Sequence, residues 1–498
     1  LAAASGDEIW VAEGTYHPDD GLAQAAGDRS ATFTLLDAVA IHGGFVGGES
    51  RRDQRAGSRD ATILSGDIGV AGDSLDNAYH VVTASGTDAS AVLDGFTIRD
   101  GNADGAAPDN VGGGILIVDA SPALFDLAIR ENAASDGGGI FIQVGSSPTL
   151  TESAIIGNGA TTGGGMYIEG SSPVLTNVRI RQNSADAEGG GIAVVNNSSP
   201  ELVNVLIDLN EALADGGGIY SSLSVASLTN VTVTDNQAQN GGGIANYGSA
   251  SPIVRNSILW GNIAYNAGHD VYNDDTFDNP SFSNSIVGGS GGSGTGWDSS
   301  IGTDEGGNLD TDPLFVDPDG ADDIAGTEDD DFRLQTGSPA IDAGDDADLP
   351  ADDHDLDGDG DTAEPVSTDE NGDPRIVGGT VDMGAYENQD AAAPGIATSV
   401  ATLNFGSQDI TTPSDPGTVT VTNDGTADLT VSDMFIFGSD ASDFLIADET
   451  CTAAPIAPGH TCDVDVVFDP ASTGSKTATL QIDSDAGSAT VDLEGTGT

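Results

Sequence analysis

The sequence contains very little positive charge. Of its 498 residues only 13 are lysine or arginine, with Lys476 the single lysine, whereas 81 are aspartate or glutamate, so the formal net charge is −68. Long-range Coulomb forces between such a chain and DNA, RNA or an anionic membrane surface are repulsive. The composition therefore excludes nucleic acid as a partner.

Aromatic residues, cysteines and long apolar runs are scarce as well. Aromatic residues make up 5 % of the chain and there are two cysteines. No segment approaches the run of about 18 apolar residues that a membrane span needs, so we expect no membrane insertion. The hydrophobic content of 37 %, rich in Val, Ile and Leu, still argues for a folded chain rather than a disordered one.

Glycine is abundant, with 70 residues, and it marks a repeat. A Gly-Gly-Gly-apolar block recurs at steps of 25 to 27 residues, beginning at Gly112, Gly137, Gly163, Gly189, Gly216 and Gly241. Between blocks, β-branched residues alternate with polar ones, and Gly and Pro would break any helix. Each repeat therefore predicts three short strands, which form one coil of a parallel β-helix.

Stacked coils place equivalent residues in columns. Two columns are predicted to face inward: Leu124, Leu150, Leu175, Leu202, Leu228 and Val254, and Ile129, Ile155, Ile180, Ile207, Val233 and Leu259. A third column consists of asparagines at a corner, where amides can bond from coil to coil: Asn132, Asn158, Asn183, Asn210, Asn236 and Asn262. We interpret the glycine triplets as corners where no Cβ fits, in preference to anion-binding loops.

The first 387 residues resemble the choice-of-anchor Q proteins. The segments that carry the resemblance, besides the repeats, are 6–16 (GDEIWVAEGTY), 29–35 (RSATFTL), 41–45 (IHGGF), 91–98 (AVLDGFTI), 313–318 (PLFVDP), 331–334 (DFRL), 337–342 (GSPAID) and 381–387 (VDMGAYE). The resemblance implies a secreted bacterial or archaeal surface protein with a right-handed, pectate-lyase-like β-helix. It implies no established activity. The N-terminus, which has neither an initiator Met nor a basic stretch, indicates a processed or truncated piece of a longer protein.

Acidic residues are concentrated in residues 304–390, which hold 29 of the 81 acids and two basic residues. Within this segment the spacing D-x-D-x-D-G-x5-E of a calcium loop predicts a Ca²⁺ site with the ligands Asp353, Asp355, Asp357, Asp359, Asp361 and Glu364. A second, weaker calcium candidate contains Asp317, Asp319, Asp322 and Asp323, near Glu328. The alternative for both clusters is a solvated acidic loop without metal.

The last part of the chain changes character after the linker at 391–395. Strand-like runs recur at the spacing of a β-sandwich, and segments such as 403–406 (LNFG) and 462–470 (CDVDVVFDP) resemble the choice-of-anchor D immunoglobulin-like module. Cys451 and Cys462 flank a turn that could bring them together as a disulfide, although two free thiols would give the same sequence. We therefore expect an all-β chain: a β-helix over 1–303, its acidic C-terminal part or cap over 304–390, and a β-sandwich over 391–498.

Catalytic residues are not apparent. The single lysine lies in the sandwich, the histidines form no pair with metal-ligand spacing, and His269-Asp270 is an isolated dyad. A uronate lyase needs a basic group beside its substrate carboxylate, and no such set stands out. A polysaccharide lyase or hydrolase is therefore the least favoured function.

The residue after each Gly-Gly-Gly-apolar block is predicted to point outward. Three of these residues are aromatic (Phe141, Tyr167 and Tyr220) and could stack on sugar rings, unless loops cover them. Carbohydrate binding by this column is one candidate function. The favoured one is an extracellular structural or adhesive protein, a rigid calcium-stabilised rod at the cell surface, whose open coil ends could pair with other copies to form filaments.

Overall fold

The computed structural model describes residues 3–21, 24–327, 329–352, 356, 361–389, 394–423, 425, 427–457 and 459–498, without the side chain of residue 53. The chain divides into two compact units, Leu1–Ile376 with Thr380–Gln389, and Val377–Gly379 with Asp390–Thr498. Its helices are short 3-10 turns at Pro18–Asp20, Arg52–Gln54, Arg59–Ala61, Ser74–Asp76, Asp346–Asp348 and Ala441–Asp443.

The first unit contains three parallel sheets, which we number by size. Sheet 1 has 16 described strands: Glu8–Ala12, Gly14–Tyr16, Ala40–Phe45, Thr62–Ser65, Val92–Arg99, Ala123–Arg130, Thr149–Ile156, Val174–Arg181, Glu201–Asp208, Ser227–Thr229, Thr232–Thr234, Ile253–Arg255, Ile258–Trp260, Ser281–Ser283, Ile286–Val287 and Thr303–Gly306. Sheet 2 has nine: Phe33–Thr34, Val82–Ser85, Ile115–Val118, Ile140–Gln143, Met166–Glu169, Ile192–Val195, Ile219–Ser222, Ile244–Tyr247 and Val271–Asn273. Sheet 3 has seven: Asn102–Ala103, Ala133–Asp136, Gly159–Thr162, Ser184–Ala185, Glu211–Ala212, Gln237–Asn240 and Ile263–Ala267.

From Asn102 to Val287 each coil contributes one strand to sheet 3, one to sheet 2, and one long or two short strands to sheet 1, which confirms the predicted parallel β-helix. The strand register also confirms both inward columns, since Leu150 pairs with Leu175 and Ile155 pairs with Ile180 in the next coil. These side chains belong to one continuous buried apolar cluster. The β-helix interior is therefore a stack of nearly identical layers.

The glycine triplets form the corner between sheet 3 and sheet 2. Gly137, the first residue of its triplet, has a φ of +64°, which favours glycine. A Cβ on Gly139 would lie 2.6 Å from the carbonyl oxygen of Gly165 in the next coil. The interpretation of the triplets as corners without room for a Cβ is confirmed.

The asparagines form the predicted ladder at the corner between sheet 1 and sheet 3. Each amide Nδ2 donates to the Oδ1 of the next asparagine at 2.9–3.0 Å, from Asn132 through to Asn262. The last bond runs from Asn262 Nδ2 to Asp270 Oδ1, at 2.7 Å. A buried carboxyl group thus ends a chain of aligned amides.

The middle of each long strand of sheet 1 is kinked by a residue with positive φ. We call these residues the kink column: Asp126, Glu152, Asn177, Asn204, Asn230 and Asn256, with φ between 47° and 55°. Asparagine and aspartate tolerate this left-handed conformation better than most residues.

The acidic segment runs back along the outer face of sheet 1. The Nδ2 atoms of Asn177, Asn230 and Asn256 donate to the Oγ1 of Thr368 and the carbonyl oxygens of Asp382 and Asp345. Beneath the segment, three outward-facing apolar side chains of sheet 1 are buried: Leu206, Ile258 and Ile286. They pack in one cluster with apolar residues of the segment: Phe315, Phe332, Leu334, Ala340, Met383, Ala385 and Tyr386. The segment therefore covers a side of the β-helix, because these outward positions are apolar. Its paired strands are Phe315–Asp317 and Asp331–Leu334.

The second unit contains two four-stranded sheets. One consists of Ala397–Thr398, Gly417–Thr422, Phe444–Glu449 and Thr461–Phe468, the other of Thr402–Gln408, Val431–Phe437, Gly474–Ser484 and Gly487–Gly497. Alternate residues of both sheets, such as Val419, Val464 and Leu480, form a separate buried cluster. The predicted β-sandwich is confirmed.

Candidate functional site

The predicted aromatic column lies on the outer face of sheet 2. Phe141 pairs in register with Tyr167, Tyr167 with Ala193, and Ala193 with Tyr220. The next two positions are Ala245 and Tyr272. From Tyr167 onward, aromatic and small side chains therefore alternate from coil to coil.

Phe141 is not available as a sugar-stacking ring. Its side chain is 5 % exposed, and its ring stacks on that of Tyr167 with the centroids 5.1 Å apart and the planes 4° from parallel. Because adjacent rings in a column are separated by one strand spacing, each ring covers its neighbour. Of the two alternatives for Phe141, the covered ring is the one found, although a neighbouring ring covers it and not a loop. Tyr167 and Tyr220, both half-buried, are the accessible members.

A second aromatic group follows, which the sequence did not indicate. Tyr247 contacts Tyr220 and Tyr272, with ring centroids 5.4 and 5.9 Å away, and its hydroxyl donates to Asp215 Oδ2 at 2.9 Å. Tyr247 lies two residues beyond the column in its own strand, so the sequence period does not associate it with Tyr220. Ala193 and Ala245 have no exposed surface, because tyrosines of the neighbouring coils cover them.

Carboxylates line both sides of this aromatic face. Burial, followed by the negative charges of Glu169 and Asp136, raises the pKa of Tyr167 to about 12. The Tyr167 hydroxyl is therefore protonated at neutral pH and can donate a hydrogen bond. The face combines apolar ring surfaces, phenolic donors and carboxylate acceptors, which is the set of groups that polyhydroxylated ligands need.

The predicted calcium loop lies mostly outside the described residues. Asp353, Asp355, Asp357 and Asp359 are not among them, whereas Asp361 and Glu364 are. Asp361 Oδ1 accepts a hydrogen bond from the backbone N–H of Ala363 at 3.0 Å. Calcium binding by this loop stays a prediction.

The second calcium candidate has its acidic residues spread over a turn. Asp317 ends the strand Phe315–Asp317, Asp322 Oδ1 accepts a hydrogen bond from Ile324 N at 2.9 Å, and Asp323 has a φ of 55°. Asp319 lines a cavity of about 480 Å³ together with Asp235 and Asp312. Among the described residues, no three His, Cys, Asp or Glu side chains are grouped closely enough to hold a metal ion.

The two cysteines and the His269-Asp270 dyad all have bonding partners within the fold. Cys451 and Cys462 form a disulfide in the sandwich unit, with Cα atoms 5.1 Å apart. His269 and Asp270 occupy the second and third positions of a seventh, degenerate glycine corner, since Val271 pairs with Ile244. His269 Nδ1 accepts a hydrogen bond from Ala264 N, and Asp270 accepts from Asn262, so both side chains have structural partners.

The sequence also missed a charged cluster on sheet 1. Arg55 lies in the loop after the strand Ala40–Phe45 and donates to Asp94 and Asp126, which are 39 and 71 residues away. His42 Nδ1 lies 2.7 Å from the other oxygen of Asp94. No period in the sequence associates these residues, because the loop that brings Arg55 to the sheet is not part of the repeat.

Residues 74–211 match the family model of the right-handed β-helix region. The first unit is a right-handed parallel β-helix. No curated protein matches the chain. None of the helices in the described part of the chain has the length and apolarity that crossing a membrane requires.

Three solved structures are similar to this chain over different parts. The secreted serine protease VesC from Vibrio cholerae is 24 % identical over 21 % of this chain and 23 % of its own length, with a TM-score of 0.18. The PapD-like domain 7 of human CEP192 is 13 % identical over 21 % of this chain and 87 % of its own length, with a TM-score of 0.17. The Dettilon tailspike protein gp208 is 10 % identical over 93 % of this chain and 86 % of its own length, with a TM-score of 0.32. The chain spans about a quarter of VesC, and all three TM-scores are low, so the fold assignment depends on the strand register and the family match.

Proposed function

We propose that this chain is an extracellular structural or adhesive protein in which the right-handed β-helix is a rigid platform at the cell surface. The observation that supports this most is the asparagine ladder, which continues through six coils within a single buried core. Such a layered interior resists local opening, because each coil supplies hydrogen-bond partners to the next. The resemblance to secreted choice-of-anchor Q proteins supports the extracellular location. Immunogold electron microscopy of the native cells tests this proposal, and label confined to the cytoplasm would contradict it.

Calcium is the proposed stabilising ion. The acidic segment packs 29 carboxylates into 87 positions and contains the full calcium-loop pattern. Mutual repulsion of these charges destabilises the segment unless cations neutralise it. We expect EDTA to lower the Tm of the β-helix unit, and Ca²⁺ to restore it where the same concentration of Mg²⁺ does not. A Tm that EDTA leaves unchanged would exclude the calcium part of the proposal.

End-to-end assembly is a further part of the structural role. Within the described residues the last strand of sheet 1, Thr303–Gly306, pairs with Ser281–Ser283 alone, so no described strand pairs with its other edge. An open strand edge can pair with a strand of another copy. Negative-stain electron microscopy at high protein concentration with Ca²⁺ should show filaments, and monodisperse monomers would contradict assembly.

Carbohydrate binding by the aromatic face of sheet 2 is the second proposed function. It is supported by the alternation of Tyr167, Tyr220 and Tyr272 with fully buried alanines, which leaves ring surfaces beside carboxylate acceptors. Sugar rings stack on tyrosine through their C–H faces, and the flanking acids can accept hydrogen bonds from sugar hydroxyls.

Glycan-array binding tests this second function. Replacing Tyr167 and Tyr220 by Ala should reduce binding about tenfold or more. Tyr265→Ala is the matched control, because Tyr265 is a tyrosine that is 65 % exposed on sheet 3, and its loss should leave binding unchanged. Equal losses in the control and the double variant would contradict a role of the aromatic face.

A further inference from the structure

The outer face of sheet 1 differs between its front and rear coils. In the rear coils the acidic segment covers it, as described above. In the front coils, which carry Asp126 and Glu152, the same face borders two cavities of about 500 and 400 Å³ that share Glu152 in their walls. The second cavity reaches the first of the rear coils, where Asn177, Arg179 and Glu370 of the acidic segment also line it. We call these two cavities together the front groove.

The kink column changes residue type at the boundary between the two regions. Asn177, Asn204, Asn230 and Asn256 in the rear coils all use their amide to bond the acidic segment. The equivalent positions in the front coils carry Asp126 and Glu152. Glutamate is uncommon at positive φ, and Glu152 has a φ of 50°. At this position the front coils therefore present a carboxyl group to the adjoining cavities, where the rear coils present an amide to the acidic segment.

The charged groups of the front groove are held in fixed positions. Arg55 Nη1 donates to Asp94 Oδ1 at 2.7 Å, and Nη2 donates to Asp126 Oδ2 at 2.8 Å. Arg59 Nη1 donates to Asp126 Oδ1 at 3.2 Å and to the carbonyl oxygen of Glu152 at 2.9 Å. The Arg55 guanidinium occupies the space that a Cβ on Gly95 would need. A rigid network that orders both donors and acceptors before binding reduces the entropy cost of binding.

The pKa values of two carboxyl groups in this network, Asp94 and Glu152, are shifted in opposite directions. Burial raises the pKa of Asp94, but the hydrogen bonds from His42 and Arg55 outweigh it, so the pKa of Asp94 is lowered. Burial, and then the negative charges of Asp126 and Asp94, raise the pKa of Glu152. Asp94 is therefore the fixed anion that positions Arg55, and Glu152 lines both cavities with a carboxyl that is in contact with solvent but partly enclosed by the groove.

The balance of charge indicates which ligands the groove can accept. Four of the 13 basic residues of the chain line the two cavities: Arg52, Arg55, Arg59 and Arg179. The carboxylates among them offset this charge locally, while the net charge of −68 repels polyanions at longer range. Neighbouring guanidinium donors and carboxylate acceptors suit hydroxyl groups, which both donate and accept. Apolar side chains such as Phe125 and Ile156 lie beside them.

We propose that the front groove binds an uncharged oligosaccharide, at a site separate from the aromatic face of sheet 2. The arginines donate to sugar hydroxyls, Glu152 accepts from them, and the apolar floor contacts the C–H faces of the sugar rings. A groove that follows several coils accommodates a chain of linked sugars rather than a single ring.

Binding of neutral oligosaccharides and of oligogalacturonate to the full chain, first on an array and then by calorimetry, tests this proposal. Glu152→Asn gives this position the side chain that the rear coils carry there, so the backbone conformation is retained. We expect this variant to bind the neutral oligosaccharide about 10- to 100-fold more weakly, because a hydrogen bond to a charged group is lost. Arg52→Ala is a second variant on an exposed residue of the groove, expected to lose about tenfold.

Glu211→Gln, at an exposed position of sheet 3, is the matched control, and it should leave the affinity unchanged. Tyr220→Ala separates this site from the aromatic face, since it should leave binding in the front groove intact. The proposal is overturned if no neutral oligosaccharide binds, if only oligogalacturonate binds, or if Glu152→Asn and Arg52→Ala both bind as tightly as the original chain. Loss of binding in Tyr220→Ala alone would assign the oligosaccharide to the aromatic face.

Discussion

The interior of the β-helix and its outer faces follow different rules, although the same strands form both. Inside, each coil repeats the type of residue of the coil before it, as the leucine and isoleucine columns show. Outside, a single column of sheet 1 runs from Ala154 through Arg179 to Leu206. An inward residue meets the same neighbours in every coil, whereas an outward residue meets whatever covers that coil.

The contrast shows where function can develop in a repeat protein. An inward substitution disturbs two neighbouring layers at once, so the interior stays uniform. Outward positions are free to differ, and in this chain they differ by face: tyrosines on sheet 2, charged pairs in the front groove, and apolar residues under the acidic segment. The three predictions below test this contrast in stability measurements.

The largest effect is expected inside, for Asn210→Ala. Asn210 has no exposed surface, donates to Ile180 O and Asn236 Oδ1, and accepts from the N–H and Nδ2 of Asn183. Its loss leaves several buried polar groups without partners, each costing about 1–3 kcal/mol. We expect the free energy of unfolding to fall by about 3–5 kcal/mol, measured by urea denaturation.

Asn266→Ala is the matched outer variant. Asn266 Nδ2 also donates to an amide oxygen one coil away, that of Asn240, at 2.7 Å, but this bond is exposed to water. Water replaces the lost partner there, so the change should stay below about 0.5 kcal/mol. Similar losses in the two variants would show that burial does not distinguish interior from outer amides.

The inward columns and the asparagine ladder could be predicted because they recur every 25 to 27 residues. The seventh corner escaped prediction, because His269 and Asp270 replace two of its glycines. The charged network of the front groove escaped it too, because Arg55 lies in a loop outside the repeat. The outward direction of Phe141 could be predicted, but the covering of its ring by Tyr167 could not, since a sequence gives the direction of a side chain in a strand but not what its neighbours cover.

A smaller effect is expected on the covered outer face, for Met383→Ala. Met383 is 1 % exposed and packs with Leu206 and Ile258 of sheet 1. The cavity that the substitution leaves in place of the Met383 side chain should lower the free energy of unfolding of the β-helix unit by about 2–4 kcal/mol. On the open face, Tyr220→Ala should cost about 1 kcal/mol or less, because Tyr220 is only half-buried. Urea denaturation of both variants checks the comparison, and an equal cost would mean that the acidic segment does not stabilise the coils it covers.

The smallest effect is expected where the ladder ends, and it depends on pH. Burial raises the pKa of Asp270 to about 7, well above the ordinary value of 3.8. A carboxyl whose pKa is higher in the folded state than in the unfolded state binds its proton more tightly when folded. Its stabilising contribution is therefore complete below pH 3.8 and is lost as the pH rises through about 7.

Asp270→Asn replaces this carboxyl by an uncharged group that can still accept the hydrogen bond from Asn262. We expect the variant to have a Tm a few degrees higher than the original chain at pH 8 and nearly the same Tm at pH 4. Burial also raises the pKa of Asp208 to about 7, so a pH dependence of the same sign should persist in the variant, but with a smaller amplitude. A variant that is less stable than the original chain at pH 8 would show that the ladder requires a negative charge at its end, because the aligned amides direct their N–H groups toward Asp270. The Tm of the variant at pH 8 therefore decides which effect on the charged form of Asp270 is larger: the destabilisation by burial or the stabilisation by the aligned amide dipoles.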